Sequence, residues 1–181
     1  YLYSDSDLIE QSKEGNQNAF RQLVERHHQR VRTTVIGMLG ENAEADDVAQ
    51  EVFIRFYKAL KDFRGDAKTE TYLTRIAINL SLNELKRRQK RNAQFFFFQK
   101  DEKPLQIEDF SANPSQYDTR EMIQKALQIL EPDFRSVVIL RLVKGYSVKE
   151  TAEILEIPQG TVASRLTRAQ KKLSEILRKI M

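Results

Sequence analysis

Thr161, Ser164, Arg165, Arg168, Lys171 and Lys172 lie in one short stretch, "EIPQGTVASRLTRAQKKLS". At 100° per residue they share one arc of a helix, and Val162, Leu166, Ala169 and Leu173 fall opposite within a stripe about 60° wide. No acidic residue occurs from Ile157 to Ser174. Hydroxyl, guanidinium and ammonium groups so arranged do not form a proton-transfer set. They suit a major groove, where Arg and Lys reach guanine edges or phosphates and Ser or Thr serve either. A second set repeats the logic upstream. Tyr72, Arg75, Asn79, Asn83, Lys86 and Lys90 occupy an arc about 80° wide. It runs between the apolar flanks Leu73, Ile76, Ala77, Leu80 and Ile78, Leu82, Leu85. Amides and a ring among cations can stack on unpaired bases and read their edges.

The first set needs a sharp turn before its helix. Ser147 and Glu150 fit a capping box opening a short helix that Pro158 must end, with the next helix starting near Gln159. The short helix carries Glu150, Glu153 and Glu156, so it should not lie along phosphates. A solvated amphipathic helix would also show a charged face. The turn, the cap and the charge segregation together favour a helix-turn-helix.

Helical signals fill the rest of the chain. Capping residues open "SDSDLIEQSKEG", Asn16 opens a stretch with Phe20, Val24, Val31, Val35 and Leu39 at helical spacing, and Asn42 opens another with early carboxylates. "KTETYLTRIAINLSLNELKRRQKR" is a fourth long candidate, ending in the basic cluster Lys86–Arg91. From Asn92 to Thr119 periodicity fails and two prolines appear, which reads as a linker. "REMIQKALQIL", "PDFRSVVILRLVKG" and "SVKETAEIL" then precede the basic helix. The predicted fold is all-α: two small helical bundles joined by a flexible linker, the C-terminal one containing the helix-turn-helix. The domains are 1–91, 92–119 (linker) and 120–181. Phe95–Phe98 in the linker reads as an anchor, either folded back on a bundle or offered to a partner.

Composition narrows the function. The net charge is +4, cysteine is absent, and glycine and proline are scarce at six and four, so disulfides, thiol nucleophiles and cysteine zinc sites are excluded. No apolar run is long enough for membrane insertion and no signal segment is seen, which fits a cytoplasmic protein. The chain opens on Tyr1 rather than methionine, so residues are expected upstream. His27 and His28 are adjacent, point apart on a helix, and read as surface residues rather than metal ligands. No phosphate-cradling glycine motif occurs. No catalytic residues, cofactor or metal are expected.

A third surface asks for a partner. On the wheel, Ala45, Val48, Val52, Phe56, Ala59 and Leu60 face a core, and Asp47, Gln50, Glu51, Ile54 and Lys58 face away. An isoleucine among charges can be a scattered surface residue or part of a docking face.

The residues "YSVKETAEILEIPQGTVASRLTRAQKKL" resemble region 4 of bacterial RNA polymerase sigma factors of the extracytoplasmic-function group, whose pattern G-T-V-x-S-R-L-x-R-A matches from Gly160 to Ala169. Glu156 departs from the glycine usual at the turn, and an altered approach with some strain is expected. "ADDVAQEVFIRFYKAL" is similar to region 2.2, the family's main contact with the polymerase clamp helices, with Asp47, Gln50 and Glu51 at its D-x-x-Q-E positions. The fourth helix resembles regions 2.3 and 2.4, which melt and bind the −10 element, and "DFRGDAK" falls where the family captures a flipped base. Thr69, Tyr72 and Thr74 stand where phenylalanine, tryptophan and tyrosine are usual, and Tyr72 alone keeps a ring.

The resemblance implies a non-enzymatic factor that binds core RNA polymerase and promoter DNA and meets an anti-sigma factor. It implies −35 contacts from Thr161, Ser164, Arg165, Arg168, Lys171 and Lys172. It implies −10 contacts from Lys68, Tyr72, Arg75, Asn79, Asn83, Lys86 and Lys90, and polymerase contacts from Asp47, Gln50, Glu51, Ile54 and Lys58. The rival is a stand-alone helix-turn-helix regulator whose N-terminal bundle senses or dimerises. A helical protein that only sequesters a partner would leave both basic clusters unexplained.

Overall fold

The computed structural model of the protein describes residues 3–98 and 119–180, with the side chains of 95–98 and 180 excepted. Every regular element among the described residues is helical. The helices are α1 Asp5–Lys13, α2 Gln17–Leu39, α3 Ala43–Ala59, α4 Thr69–Phe98, α5 Thr119–Ile129, α6 Pro132–Val138, α7 Val148–Leu155 and α8 Gln159–Ile180. A 3-10 turn, Leu60–Asp62, follows α3, and a π-helical segment, Ile139–Val143, continues α6. The chain divides into two compact units, residues 1–81 with 154–156 and residues 82–153 with 157–181.

In the first unit each of the three opening helices begins on a side chain that accepts from its free amides. Ser4 and Asp7 form a capping box on α1, Asn16 accepts from Asn18 and Ala19 on α2, and Asn42 Oδ1 accepts from Ala45 at 2.9 Å on α3. The second helix then buries Ala19, Leu23, Val31 and Val35, one residue off the Phe20 and Val24 positions, which are half-buried. Phe56 on α3 is fully buried among Phe20, Phe63 and Tyr72, with ring centroids 5.8–6.2 Å away. Tilted and edge-to-face rings of this kind add to the stabilisation from their buried area.

His27 corrects the surface reading of the histidine pair. It is buried, whereas His28 is exposed. Its Nε2–H donates to Asp5 Oδ2 at 2.8 Å, and Arg26 Nη1 donates to Asp5 Oδ1 at 2.5 Å. One carboxylate thus ties α1 to two successive residues of α2. Burial pushes the Asp5 carboxyl up, but hydrogen bonds and charge from Arg26 and His27 outweigh it and hold the pKa below the ordinary value. A depressed carboxylate contributes stability that is full above the unfolded-state pKa and lost as pH falls through the folded one. Acid titration followed by circular dichroism should therefore show a stability loss beginning below about pH 4. Asp5→Asn should lower the melting temperature at pH 7 and shrink that loss; an unchanged melting temperature would contradict the role given to Asp5.

The fourth helix runs past the expected start of the linker at Asn92 and ends at Phe98. Asn92, Ala93 and Gln94 are tolerated in a helix, and neither glycine nor proline appears until Pro104. The anchor reading of Phe95–Phe98 concerns side chains outside the described residues, as do residues 99–118.

In the second unit Leu127, Leu130, Val138 and Ala169 form a core against which Phe134, Leu173 and Ile176 pack, joining α5, α6 and α8. Arg135 is buried, and its guanidinium donates to Gln128 Oε1 at 3.0 Å and to the carbonyls of Gln128 at 2.6 Å and Leu130 at 2.8 Å. These are carbonyls at the end of α5, which lack helical partners, so the side chain serves as a C-cap. Burial brings the Arg135 pKa down to about 10.

The turn before α8 has the predicted parts. Glu150 N donates to Ser147 Oγ at 3.1 Å and Ser147 N to Glu150 Oε2 at 2.8 Å, completing the capping box on α7. Among the described residues Glu156 is the one non-glycine with positive φ, at 56°. Ile157 N closes the turn on Ala152 O at 3.1 Å. A Cβ in the left-handed region is strained, and glycine relieves it at some cost in unfolded-state entropy. Glu156→Gly is expected to stabilise the fold by about 0.5–1 kcal/mol, read as a rise of a few degrees in thermal unfolding. A fall would show that the glutamate side chain offsets its backbone strain.

Candidate nucleic-acid interface

The eighth helix places its apolar stripe inward. Val162 and Ala169 are fully buried, and Leu173 packs on the core of the unit. The opposite side carries the six polar residues. Ser164, Arg168 and Lys171 are exposed, and Thr161, Arg165 and Lys172 are half-buried. Ser164 Oγ donates to the Thr161 carbonyl at 3.1 Å, and the helix starts with the Thr161 and Val162 amides on the Pro158 carbonyl.

Two of the cations are engaged from the start of α6, by Asp133 and the N-cap residue Glu131. Arg165 Nη2 lies 2.7 Å from Asp133 Oδ2, and Lys172 Nζ pairs with Glu131. Lys172 Nζ also sits 5.0 Å from the Phe134 ring centroid, within cation–π range. The Lys172 hydrogen bond holds the Glu131 carboxyl below its ordinary pKa. Sequence reading missed both pairs. Their acids precede Arg165 by more than thirty residues, and only the packing of α6 on α8 brings them near.

In the first unit Arg75, Asn79 and, further along the same helix, Asn83, Lys86 and Lys90 are exposed on one arc of α4. Tyr72 is half-buried, its ring 4.9 Å from Phe63 and 5.9 Å from Phe56. The ring is thus packed into the aromatic cluster rather than standing free on the arc. Thr69 and Thr74 are buried and present no ring at all. The basic cluster after Lys86 is partly neutralised within α4: Glu84, itself buried, pairs with Arg87 at 3.1 Å and Arg91 at 3.0 Å. Lys68 is exposed at the end of the loop that Gly65, at φ 78°, allows to turn. That loop, α1 and His27 border an open cavity of about 360 Å³.

On α3, Asp47, Gln50, Ile54 and Lys58 are exposed and Glu51 is half-buried, its Oε1 accepting from Arg55 Nε at 2.9 Å. Ile54 is 47% exposed and Tyr57 51%. Tyr57, missed in the sequence reading, lies about 20° from Gln50 on the wheel. Its ring packs edge-on against Phe20 at 4.8 Å, which fixes it on the surface. The signal was present in the spacing. Two large apolar side chains side by side in a charged arc are unusual for a face that meets only water.

Among the described residues no group of three or more His, Cys, Asp or Glu could hold a metal, and no helix is long and apolar enough to cross a membrane.

Residues 23–91 match the family model of sigma-70 region 2, and residues 120–173 match that of sigma-70 region 4. The RNA polymerase sigma-H factor of Pseudomonas aeruginosa is 32% identical, with 98% of this chain and 95% of that protein covered. The ECF RNA polymerase sigma-E factor of Escherichia coli is 31% identical, with 94% and 92% covered. Among solved structures, CnrH in complex with the cytosolic domain of CnrY has a TM-score of 0.66 at 26% identity, covering 96% of this chain and 97% of that one. The sigma factor RpoE of Bartonella quintana, in complex with the anti-sigma factor NepR, has a TM-score of 0.66 at 24% identity, with 88% and 96% covered, a likeness of fold.

Proposed function

We infer the roles of the two units from the fact that this chain belongs to the extracytoplasmic-function group of RNA polymerase sigma factors. It directs promoter-specific transcription initiation by RNA polymerase, and the bond-making chemistry resides in the polymerase. The observation that carries the assignment of surfaces is the two-sided α8, with an apolar stripe fully buried at Val162 and Ala169 and, from Thr161 to Lys172, a face free of acids opposite.

That face enters the major groove of the −35 element. Thr161, Ser164 and Arg165, near the helix start, reach base edges, while Lys171 and Lys172 lie toward phosphates. The α4 arc of Arg75, Asn79, Asn83, Lys86 and Lys90, with Lys68 before it, tracks the melted −10 strand. The cavity beside the 63–68 loop offers an unstacked base a place off the strand. The exposed Asp47, Gln50, Ile54 and Lys58, with Glu51 and Tyr57, dock on core polymerase.

A protein antagonist is a further expected partner, supported by the complexes in which the two similar structures were solved. The factor acts in the cytoplasm, where polymerase and promoter are. Potassium permanganate footprinting of a cognate promoter tests the −10 assignment. Holoenzyme with the intact chain should make thymines near −10 reactive. Replacing Asn79 and Asn83 by alanine should suppress that reactivity without preventing polymerase binding, and full reactivity in the variant would place strand capture elsewhere.

A further inference from the structure

We propose that Glu131 and Asp133 form an acidic brake on the recognition helix, holding Lys172 and Arg165 in the free protein so that DNA must displace them. The inference rests on the reading of α8 as the DNA-facing helix. Of the four cations between Thr161 and Lys172, Arg165 and Lys172 are half-buried and paired with Asp133 of α6 and its N-cap Glu131, whereas Arg168 and Lys171 are exposed and have no such pair among the described residues.

A carboxylate presents to a guanidinium the same pair of acceptor oxygens that a phosphate does. Asp133 Oδ2 therefore occupies Nη2, one of the donors that a guanine or phosphate would use. The acids are held in place: Pro132 stands between them at the first position of α6, and Phe134 and Val138 anchor that helix against Leu173 and Ala169 of α8. Their backbone therefore stays beside α8 when DNA approaches, and only the exposed carboxylates have to swing aside.

Displacing them leaves two carboxylates beside the phosphate backbone, and like charges brought together oppose association. That cost falls on every DNA sequence. A bidentate arginine–guanine contact, available only at a matching site, offsets it. The brake thus suppresses non-specific binding more than specific binding.

The test uses the full chain and a fluorescently labelled duplex of random sequence, with anisotropy measured over a series of salt concentrations. Glu131→Gln with Asp133→Asn should bind about three- to tenfold more tightly at low salt, since exposed ion pairs are individually weak. Its salt dependence should also be steeper, because the freed cations now release counterions without re-exposing acids. Circular dichroism checks that both variants keep their helices.

The same charge change made at Glu14 and Glu25, remote in sequence, should leave affinity nearly unaltered. Equal tightening there would make the effect one of net charge and overturn the brake. Arg168→Ala separates the proposal from the reading beneath it. If Arg168→Ala weakens binding while the neutralised pair binds as the parent does, α8 meets DNA but no brake exists. If neither change alters binding, the DNA-facing reading of α8 fails and the brake with it. If Asp133→Asn alone instead relaxes preference at one base of the −35 element without tightening random-duplex binding, Asp133 orients Arg165 and the brake is wrong.

Discussion

Asp47→Arg combined with Glu51→Arg is expected to abolish co-purification of the chain with core RNA polymerase while leaving its helical content intact. Asp47 is exposed and Glu51 half-buried on the outer side of α3, so neither substitution disturbs the buried positions Ala45, Ala49, Val52 and Phe56. The local cost is small. Glu51 pairs with Arg55 one turn on, and placing an arginine there trades a favourable pair for a like-charge pair, a change of about 0.5–1 kcal/mol in helix stability. The cost at an interface is far larger, because a partner surface that receives carboxylates then meets cations, and like-charge juxtaposition costs several kcal/mol. Every 1.4 kcal/mol is about tenfold in affinity, so two such clashes remove binding at working concentrations. Normal yield of the variant on core polymerase would show that α3 does not dock there. Ile54→Ala should give a smaller, graded loss, since Ile54 contributes apolar area and no charge.

The second large effect is expected within α8. Arg165→Ala should cost about 1–3 kcal/mol of discrimination at one base position of the −35 element, whereas Lys172→Ala should weaken all sequences alike and reduce the salt slope, by at most about one because Glu131 already pairs with Lys172 in the free chain. The difference follows from position along the helix. Arg165 lies in its second turn, where a recognition helix enters the groove, and Lys172 lies about two turns further on, where side chains reach the backbone. Transcription by variant holoenzymes across a promoter set randomised in that element, at several salt concentrations, separates the two. A change of base preference with Lys172→Ala, and of strength alone with Arg165→Ala, would mean that the helix docks in another orientation.

Much of the fold was legible because local rules agree along this chain. Ser4, Asn16, Asn42 and the Ser147–Glu150 pair each open the helix that their capping chemistry predicts. Pro158 and Glu156 turn the chain where the pattern breaks, with the strain that a non-glycine implies. What was not legible depends on distant packing. His27 sits between arginine and histidine in the sequence, and nothing near it signals that Asp5, 22 residues away, satisfies it inside the unit. The commitment of Tyr72 to Phe56 and Phe63 is likewise invisible on a helical wheel, which gives direction but not neighbours. The pairing of Arg165 and Lys172 was not legible because no acid occurs from Ile157 to Ser174, and the acids that meet them, Glu131 and Asp133, come from the start of α6. The extension of α4 to Phe98 was obscured by a change of composition at Asn92 that alters no backbone preference. Spacing gave the outward side of α3 and α8 but was one residue off at the start of α2, and tertiary partners decide what each side is already holding.

Run-off transcription with purified core polymerase, the full chain and a library of genomic fragments tests the central claim most directly. Core polymerase alone should give no discrete products. Adding the chain should give transcripts whose upstream sequences share two short elements at a fixed spacing. Deleting residues 120–181 should remove dependence on the upstream element, since α8 lies within them. Discrete binding of duplex sites by the free chain, with no promoter-specific transcript when polymerase is present, would contradict the account and identify a regulator that acts without docking.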